Sequence, residues 1–228
     1  MQETKVEDAK FPAADLEALG YVVTFRGNKQ YNGVAIASRV KPQKASFGLL
    51  DEPTDSDRLV MAQFDDLIIL NAYVPQGQDV DKPQFAYKIA WLGRLKKYLQ
   101  KRFKPDQKII LCGDFNVAPQ NIDVHDPKRI HGHVSFNPDV WKAYEDVCSW
   151  GLTDVFRMHH PDEPGQYTFF DYRVRDSVGR NLGWRVDHIL ATKAAAAKSC
   201  CCTIDLSTRL AEKPSDHAVI YAEWEGVF

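Results

Sequence analysis

The sequence predicts an α+β fold in which two mainly antiparallel sheets pack together and carry helices on their outer faces. Two β-hairpin patterns, an amphipathic helix and the lack of regular strand–helix–strand units support this fold class. The first hairpin joins Tyr21–Phe25 to Val34–Ala37, and the second joins Leu59–Phe64 to Leu67–Val74. Because short loops join neighbouring strands only when these run antiparallel, an all-parallel sheet is not expected.

Two helices are predicted to cover the sheets. The first spans Pro83 to Phe103, where apolar residues recur at helical spacing and basic residues are expected on solvated faces. Its apolar positions are Phe85, Ile89, Leu92, Leu95 and Leu99, and its basic positions are Lys88, Lys96, Lys97, Lys101 and Arg102. The second helix is predicted to start at Pro138, with Asn137 as its N-cap, and to end near Gly151.

Three apolar runs are predicted as further strands, namely Lys108–Cys112, Trp184–Leu190 and Ala218–Trp224. The second of these runs contains Asp187. A carboxylate inside a strand is costly to bury unless a partner satisfies it, and a histidine is an economical partner. We therefore expect Asp187 to contact a histidine.

The composition is that of one domain with nearly balanced charge. Its 228 residues are enough for a single core, and 29 Lys plus Arg stand against 31 Asp plus Glu. An anionic partner must therefore be held by local positive patches and a metal ion. Five Cys, an odd number, predict a reduced, cytoplasmic protein, and the three consecutive ones, Cys200, Cys201 and Cys202, lack metal-ligand spacing and are expected to be buried thiols. No membrane association is expected, since no apolar stretch approaches the length of a membrane span.

Two polar segments at strand boundaries suggest a metal-dependent phosphoesterase. Gly113-Asp114-Phe115-Asn116 follows a predicted strand, and Ser215-Asp216-His217 precedes another. Together they supply carboxylates for a cation, a base for a water molecule and donors for phosphate oxygens. Taken alone, each segment is equally well explained as a turn, because Asp, Asn and Ser bond their own backbone.

Five segments occur in the order and approximate spacing of one family. They are Gln2–Lys5, Asn71–Gly77, Gly113–Asn116, Arg185–Asp187 and Ser215–His217. On these residues the chain resembles the exonuclease III type of abasic-site endonuclease, within the endonuclease/exonuclease/phosphatase superfamily. The resemblance implies a four-layer α/β sandwich, with two packed, mixed and mainly antiparallel sheets flanked by helices. It covers residues 1–228 as a single domain, and the segments that extend it to the DNA-repair branch are Asn121–Pro127, Phe170–Arg173 and Lys213-Pro214.

The resemblance implies catalytic roles for Tyr73, Asp114, Asn116, Asp187 and His217. Asp114 would orient or deprotonate the attacking water, and Asn116 would donate to a phosphate oxygen. Tyr73 and His217 would contact the scissile phosphate. Asp187 would accept from the other ring nitrogen of His217 and favour its charged form.

The resemblance also implies ligands for a metal ion and for DNA. The cofactor would be Mg²⁺, with Mn²⁺ as an alternative, held by Glu3 and Asp216. An apolar pocket for the extruded baseless sugar would be walled by Phe169, Trp184 and Val186. Contacts to the DNA backbone are expected from scattered basic residues, namely Arg26, Lys29, Lys41, Arg173 and Arg180.

The chain departs from the family pattern at its start. Members begin with a core strand ending in an Asn within a Trp-Asn-x-Asn-type motif, then a helix and a second strand leading into the segment at Gln2–Lys5. We therefore expect a domain that is truncated at its N-terminus, lacks the family's first strand and helix, and derives from the chain of an active enzyme. The missing strand is expected to leave an unfilled slot in a sheet.

The leading hypothesis is a DNA repair nuclease that hydrolyses the phosphodiester 5′ to an abasic site, with 3′–5′ exonuclease or 3′-phosphatase side activity. Its substrate would be double-stranded DNA with abasic sites or 3′ ends, and it would act as a monomer. The alternatives are a phosphatase acting on a small or lipid phosphoester and a non-catalytic DNA-binding remnant. Incision of an abasic duplex separates the first hypothesis from both alternatives.

Overall fold

The computed structural model describes residues 1–226, in which the strands form one central mixed sheet and two strand pairs. The strands are β1 Val22–Arg26, β2 Val34–Ser38, β3 Lys44–Phe47, β4 Leu59–Phe64, β5 Leu67–Tyr73, β6 Lys108–Asp114, β7 Leu152–Asp154, β8 Asp187–Thr192, β9 Ser199–Asp205 and β10 Val219–Trp224. The α-helices are α1 Ala13–Ala18, α2 Pro83–Arg102, α3 Pro127–Ile130, α4 Pro138–Cys148, α5 Val155–His159 and α6 Lys193–Ala196. Short 3₁₀ turns lie at Asp8–Lys10, Asn121–Asp123 and Thr208–Leu210.

The central sheet has the strand order β3-β4-β5-β6-β8-β7. Its neighbours run antiparallel except β5 and β6, which are parallel and are connected by α2. A parallel pair needs such a crossover, because the chain must return to the end of the sheet at which the first strand began before it can start the second. The predicted mixed, mainly antiparallel architecture with flanking helices is confirmed.

The two faces of the central sheet bury different partners. One face packs against α2 and α4, with Leu70 and Leu111 of the sheet against Trp91, Leu95 and other residues of the helices. The other face packs against the pairs β1–β2 and β9–β10, through clusters that include Val34 and Cys202. Because successive strand residues point to opposite faces, the buried runs of β5 and β6 serve both layers.

Helix α2 follows the predicted pattern with one exception. Its buried residues include Trp91, Leu92, Leu95 and Leu99, and its basic residues near the C-terminus lie at the surface, where the helix dipole favours cations. The prediction was wrong for Lys88, which is fully buried. Its ammonium group donates to backbone carbonyls in the interior instead of reaching water.

The start of helix α4 is set by its N-cap, and the start of strand β8 by a β-bridge outside the central sheet. The predicted N-cap is confirmed, since Asn137 Oδ1 accepts from the backbone N–H groups of Asp139 and Val140 at 3.1 and 3.2 Å. The strand predicted from Trp184 begins only at Asp187, because Trp184 bridges to Phe169 outside the ladder.

The cysteines and the helices bear on the expected environment of the protein. All five cysteines are free, but only Cys202 is buried and Cys200 is exposed, so the expectation of buried thiols was wrong for Cys200. Within residues 1–226, no helix combines the length and the apolar character needed to cross a bilayer.

Candidate active site

Three candidate residues lie in one row across the central sheet. Tyr73 of β5 is the register partner of Asp114 of β6, and Asp114 is the register partner of Asp187 of β8. Gly113 allows β5 to come close at this point, since a Cβ there would lie 1.9 Å from the carbonyl oxygen of Ala72. Its φ of +140° also disfavours other residues. Strand pairing therefore brings the three polar groups to the same edge and the same face.

Asp114 is buried and is held by Asn116. The backbone N–H of Asn116 donates to Asp114 Oδ1 at 2.8 Å, and its side-chain amide donates to Asp114 Oδ2 at 3.0 Å and to the carbonyl of Val74 at 3.1 Å. Burial, together with the nearby charge of Asp187, raises the pKa of Asp114 to about 7. Both amide hydrogens of Asn116 are already used, so donation to a phosphate oxygen requires exchange of one of them.

Asp187 and His217 form a hydrogen-bonded pair, as expected for an acid in a strand. His217 Nδ1 lies 2.7 Å from Asp187 Oδ2. The hydroxyl oxygen of Thr168 accepts from the backbone N–H groups of Val186 and Asp187, at 3.0 and 3.1 Å, and so fixes the strand next to the pair. Burial favours the neutral imidazole, but Asp187 outweighs this effect and raises the pKa of His217 to about 10. At neutral pH the pair is therefore an imidazolium and a carboxylate.

The titration of His217 provides a first prediction. In metal-free protein we expect the imidazole to titrate near pH 10, and in Asp187→Asn to titrate well below that, because burial lowers its pKa and the opposing charge of Asp187 is gone. Because the folded pKa is raised, the stability from this pair is complete below about pH 6.5 and is lost as the pH rises through about 10. NMR of the His217 ring signals measures both values, and a wild-type pKa that Asp187→Asn does not change would contradict the pairing.

Glu3 and Tyr73 form a second contact beside the row. The Tyr73 hydroxyl donates to Glu3 Oε1, and Lys5 Nζ lies 2.6 Å from Glu3 Oε2. Burial alone would raise the pKa of Glu3, but the hydrogen bonds from Lys5 and Tyr73 outweigh it and lower the pKa. Burial and Glu3 raise the pKa of Tyr73 far above its ordinary range, so its hydroxyl remains a donor.

A cavity of about 820 Å³ lies beside the row of residues. It is lined by Glu3, Asp114, Asp187, Asp216 and His217, among others. Ligand atoms of Asp114, Asp187 and His217 lie within 4.8 Å of one another. A protonated His217 cannot bind a metal ion, however, because both ring nitrogens carry hydrogens. The donor set that fits a hard cation is therefore the carboxylate oxygens of the cavity.

The three residues expected to wall an apolar pocket lie together. The rings of Phe169 and Trp184 meet edge to face with centroids 6.5 Å apart, and Val186 is buried in the same cluster. His133 was not predicted here, but its ring lies edge-on against Trp184 with a centroid distance of 4.4 Å. Burial, followed by the charge of Lys88, lowers the pKa of His133 to about 4, so its ring is uncharged at neutral pH.

A buried ionic network supports the segment that carries this pocket. Arg185 is fully buried and donates to Asp123 at 2.7 and 3.1 Å, and its guanidinium lies 2.8 Å from Asp154. Arg157 also pairs with Asp123, and His188 Nδ1 lies 2.9 Å from Arg185. These contacts could not be predicted from residue spacing, since Arg185 and Asp123 lie 62 residues apart in the chain.

The basic residues expected at DNA occupy different parts of the surface. Arg173 and Arg180 lie in the segment 171–182, next to Tyr172 of the cavity, although Arg173 already pairs with Asp171 at 2.7 Å. Arg26 and Lys29 lie at the end of the β1–β2 hairpin where Gln2 bridges to Val34. Lys41 follows the opposite end of that hairpin, away from the cavity.

Comparison with known proteins gives consistent similarities. A profile of the Endonuclease/Exonuclease/phosphatase family matches residues 1–217. Exodeoxyribonuclease III of Haemophilus influenzae is 34% identical over 240 residues, covering 99% of this chain and 88% of that protein. The DNA repair nuclease APEX1 of Danio rerio is 29% identical over 226 residues, covering 96% and 70%.

Solved structures are similar over nearly the whole chain. An AP endonuclease from Archaeoglobus fulgidus has 48% sequence identity and a TM-score of 0.96, covering 99% of this chain and 87% of its own. The 3′ phosphatase NExo from Neisseria, bound to a product DNA hairpin, has 38% identity and a TM-score of 0.92, covering 98% and 87%. The chain is therefore similar both to an AP endonuclease and to a 3′ phosphatase.

Proposed function

The chain belongs to the endonuclease/exonuclease/phosphatase family and is a DNA repair nuclease of the exonuclease III type, and on this premise we propose that it cuts the phosphodiester 5′ to an abasic site. The observation that carries the proposal is the buried Asp114 beside the Asp187–His217 pair, with the apolar cluster of Phe169, Trp184 and Val186 next to His217. Exonuclease and 3′-phosphatase reactions are proposed as side activities, because they hydrolyse the same class of ester.

The proposed reaction is in-line attack of water on phosphorus without a covalent enzyme intermediate. Asp114 accepts the proton of the attacking water, and its raised pKa suits a base at neutral pH. Asn116 keeps the carboxylate of Asp114 oriented. The imidazolium of His217 donates to a phosphate oxygen on which negative charge grows, and the hydroxyl of Tyr73 does the same once it exchanges Glu3 for the phosphate.

The nuclease is metal-dependent, and we propose Mg²⁺, with Mn²⁺ as a substitute, as its ion. Glu3 and Asp216 would hold it, because their carboxylate oxygens suit a hard cation that keeps several waters. Both side chains line the cavity that contains Asp114, which supports this choice. The ion, when bound, supplies positive charge to the phosphate and to the departing 3′ oxygen.

The enzyme binds DNA, and we propose which groups recognise an abasic site within it. Phe169, Trp184 and Val186 would enclose the baseless sugar and exclude an intact nucleotide by size. Arg173 and Arg180 would contact the backbone beside the cavity, with Arg26 and Lys29 contacting it farther along. We further propose one domain, acting as a monomer in the reducing cytoplasm, where its five free cysteines persist.

Duplex substrates with defined lesions test the proposed function. With Mg²⁺ we expect one cut 5′ to the abasic site, no internal cut in undamaged duplex, and no reaction after addition of EDTA. Trp184→Ala is expected to slow abasic incision by about 10-fold or more, because the pocket loses shape, while removal of a 3′ phosphate is unchanged. Electrophoretic mobility on a denaturing gel measures both reactions with the same protein, because incision shortens the strand and phosphate removal lowers its charge.

Three outcomes of this experiment would contradict the proposal. Release of 3′ phosphate without abasic incision would assign the chain to the phosphatase reaction. Hydrolysis of a lipid or sugar phosphate without action on DNA would assign it to a different substrate class. Equal slowing of both DNA reactions by Trp184→Ala would mean that the aromatic pocket does not select the abasic sugar.

A further inference from the structure

Lys88 is a buried cation without an acidic partner. It projects from α2 and is fully buried, and it forms no ion pair with any carboxylate in the described part of the chain. Burial lowers its pKa to about 7, against the attraction of Asp114. A buried ammonium group is costly unless its hydrogens are satisfied, so an apolar residue would be the simpler choice at this helix position.

The ammonium group of Lys88 joins three separate loops. Its Nζ donates to the carbonyl oxygens of Asn116 at 2.6 Å, Val134 at 2.9 Å and Gln76 at 3.3 Å. These carbonyls belong to the loop after β6, the segment before α4 and the loop after β5. Three acceptors match the three hydrogens of the group, so its hydrogen-bonding capacity is filled.

One of these loops carries the residue that orients the proposed base. Asn116 adopts a left-handed φ of 53°, and its backbone N–H and amide hold Asp114 while its carbonyl is held by Lys88. Non-glycine residues are uncommon in this region, although Asn adopts it more readily than most, and the contact from Lys88 holds the backbone in this conformation. Loss of the contact from Lys88 would leave the Asn116 backbone free to relax and to tilt the carboxylate.

The loop after β5 is built closely around the Lys88 side chain. Gly77 has a φ of +94°, and a Cβ on it would lie 3.2 Å from Lys88 Cδ and 2.7 Å from Val134 Cγ2. The glycine therefore admits both the lysine stem and the segment that carries Val134. This fit is independent of the hydrogen bonds and indicates that two of the three loops pack closely around the Lys88 side chain.

We propose that Lys88 is a positioning residue for the hydrolytic reaction. By donating to three loops at the edge of the sheet, it fixes Asn116 and thereby the orientation of Asp114. The proposal rests on the proposed role of Asp114 as the base. It assigns Lys88 no contact with the substrate or with the metal ion. Its effect is on the geometry of the base, so it acts on the chemical step.

Lys88→Met tests this proposal, because Met fills a similar volume without a donor. We expect kcat for abasic incision to fall by about 100-fold, as for a displacement of roughly 1 Å at a catalytic group, with KM nearly unchanged. Gly77→Ala, which presses on the same side chain, is expected to lower kcat in the same sense. Rates are measured at a temperature at which circular dichroism finds each variant fully folded.

Tyr98→Phe is the matched control on the same helix. Tyr98 is 3% exposed and its hydroxyl has no hydrogen-bond partner within residues 1–226, so its removal is expected to change neither rate nor stability. Hydrogen exchange provides a readout that does not depend on activity. In Lys88→Met we expect faster exchange of the amides of Phe115 and Ala118, which are bonded to Val186 and Ser135, with the β3–β4 hairpin unchanged.

The combined results distinguish the two proposals. Unchanged exchange in Lys88→Met would overturn the role in fixing the loops, even if the wild-type chain cuts no DNA and the proposed function fails. Faster exchange with unchanged kcat, or with a rise in KM alone, would overturn the role in the reaction. Faster exchange and lower kcat in both Lys88→Met and Gly77→Ala, with normal Tyr98→Phe, would support it.

Discussion

Replacement of Asp114 by Asn is expected to slow incision at an abasic site by about 1,000-fold while DNA binding persists. The amide keeps the size of the side chain but cannot accept a proton from water. It also turns a donor toward Asn116, whose two N–H groups now donate to the carboxylate. Single-turnover incision with Mg²⁺ measures the rate, and fluorescence anisotropy of a labelled duplex measures binding.

A loss of folding would not explain this result. The amide loses a hydrogen bond from Asn116, but the raised pKa of Asp114 means that its charge is unfavourable in the folded state, so the two effects offset and no large fall in the unfolding midpoint is expected. Asp66→Asn is the matched control. Asp66 is exposed, does not line the cavity, and forms an ion pair with Lys108 in which Nζ and Oδ2 are 2.7 Å apart. Incision by Asp114→Asn at the wild-type rate would exclude Asp114 from the reaction.

Replacement of Arg185 by Met is expected to lower the free energy of unfolding by about 3–5 kcal/mol. The change leaves Asp154 and the fully buried Asp123 short of a cationic partner, and Asp123 then depends on Arg157 alone. Breaking one partner of a buried ionic group costs more than the pair itself contributes, because the remaining charge stays desolvated. Urea unfolding followed by tryptophan fluorescence measures the loss.

Two further variants show whether the network causes the loss. Arg173→Met removes an exposed pair with Asp171, and no measurable change in stability is expected. The double variant Arg185→Met with Asp123→Leu removes both partners of this ion pair, so it should lose less stability than the two single changes added together. Simple addition of the two losses would mean that Arg185 and Asp123 are not energetically coupled.

Secondary structure was predictable where one periodicity dominates. Leu59–Phe64 was predicted with the observed bounds, and the helix from Pro83 differs from the prediction by one residue at its end. The parallel pairing of β5 with β6 was harder to predict. Both strands are apolar on both faces, so their sequences do not indicate whether they run parallel or antiparallel. The burial of Lys88 was missed because helical spacing assigns faces but not the acceptors beneath them.

The candidate site was predictable where a residue type is unusual in its position. An acid within an apolar run suggested that Asp187 has a histidine partner, and His217 provides that contact. Contacts across long chain separations had no such signal, and those of Arg185 with Asp123 and of Lys88 with Val134 are examples. Such partners depend on the packing of elements, which periodicity alone does not specify.

The shared row of Tyr73, Asp114 and Asp187 restricts where this enzyme tolerates a change of chain length. One residue inserted within β5 or β6 would turn the following side chains of that strand, Tyr73 or Asp114 among them, to the opposite face, and one inserted within β8 would disturb the register that pairs Asp187, its first residue, with Asp114. Residues inserted in the connecting loops would leave the row intact, because lengthening a loop adds little to the cost of closing it. Insertions that create new DNA contacts are therefore compatible with catalysis only outside these three strands.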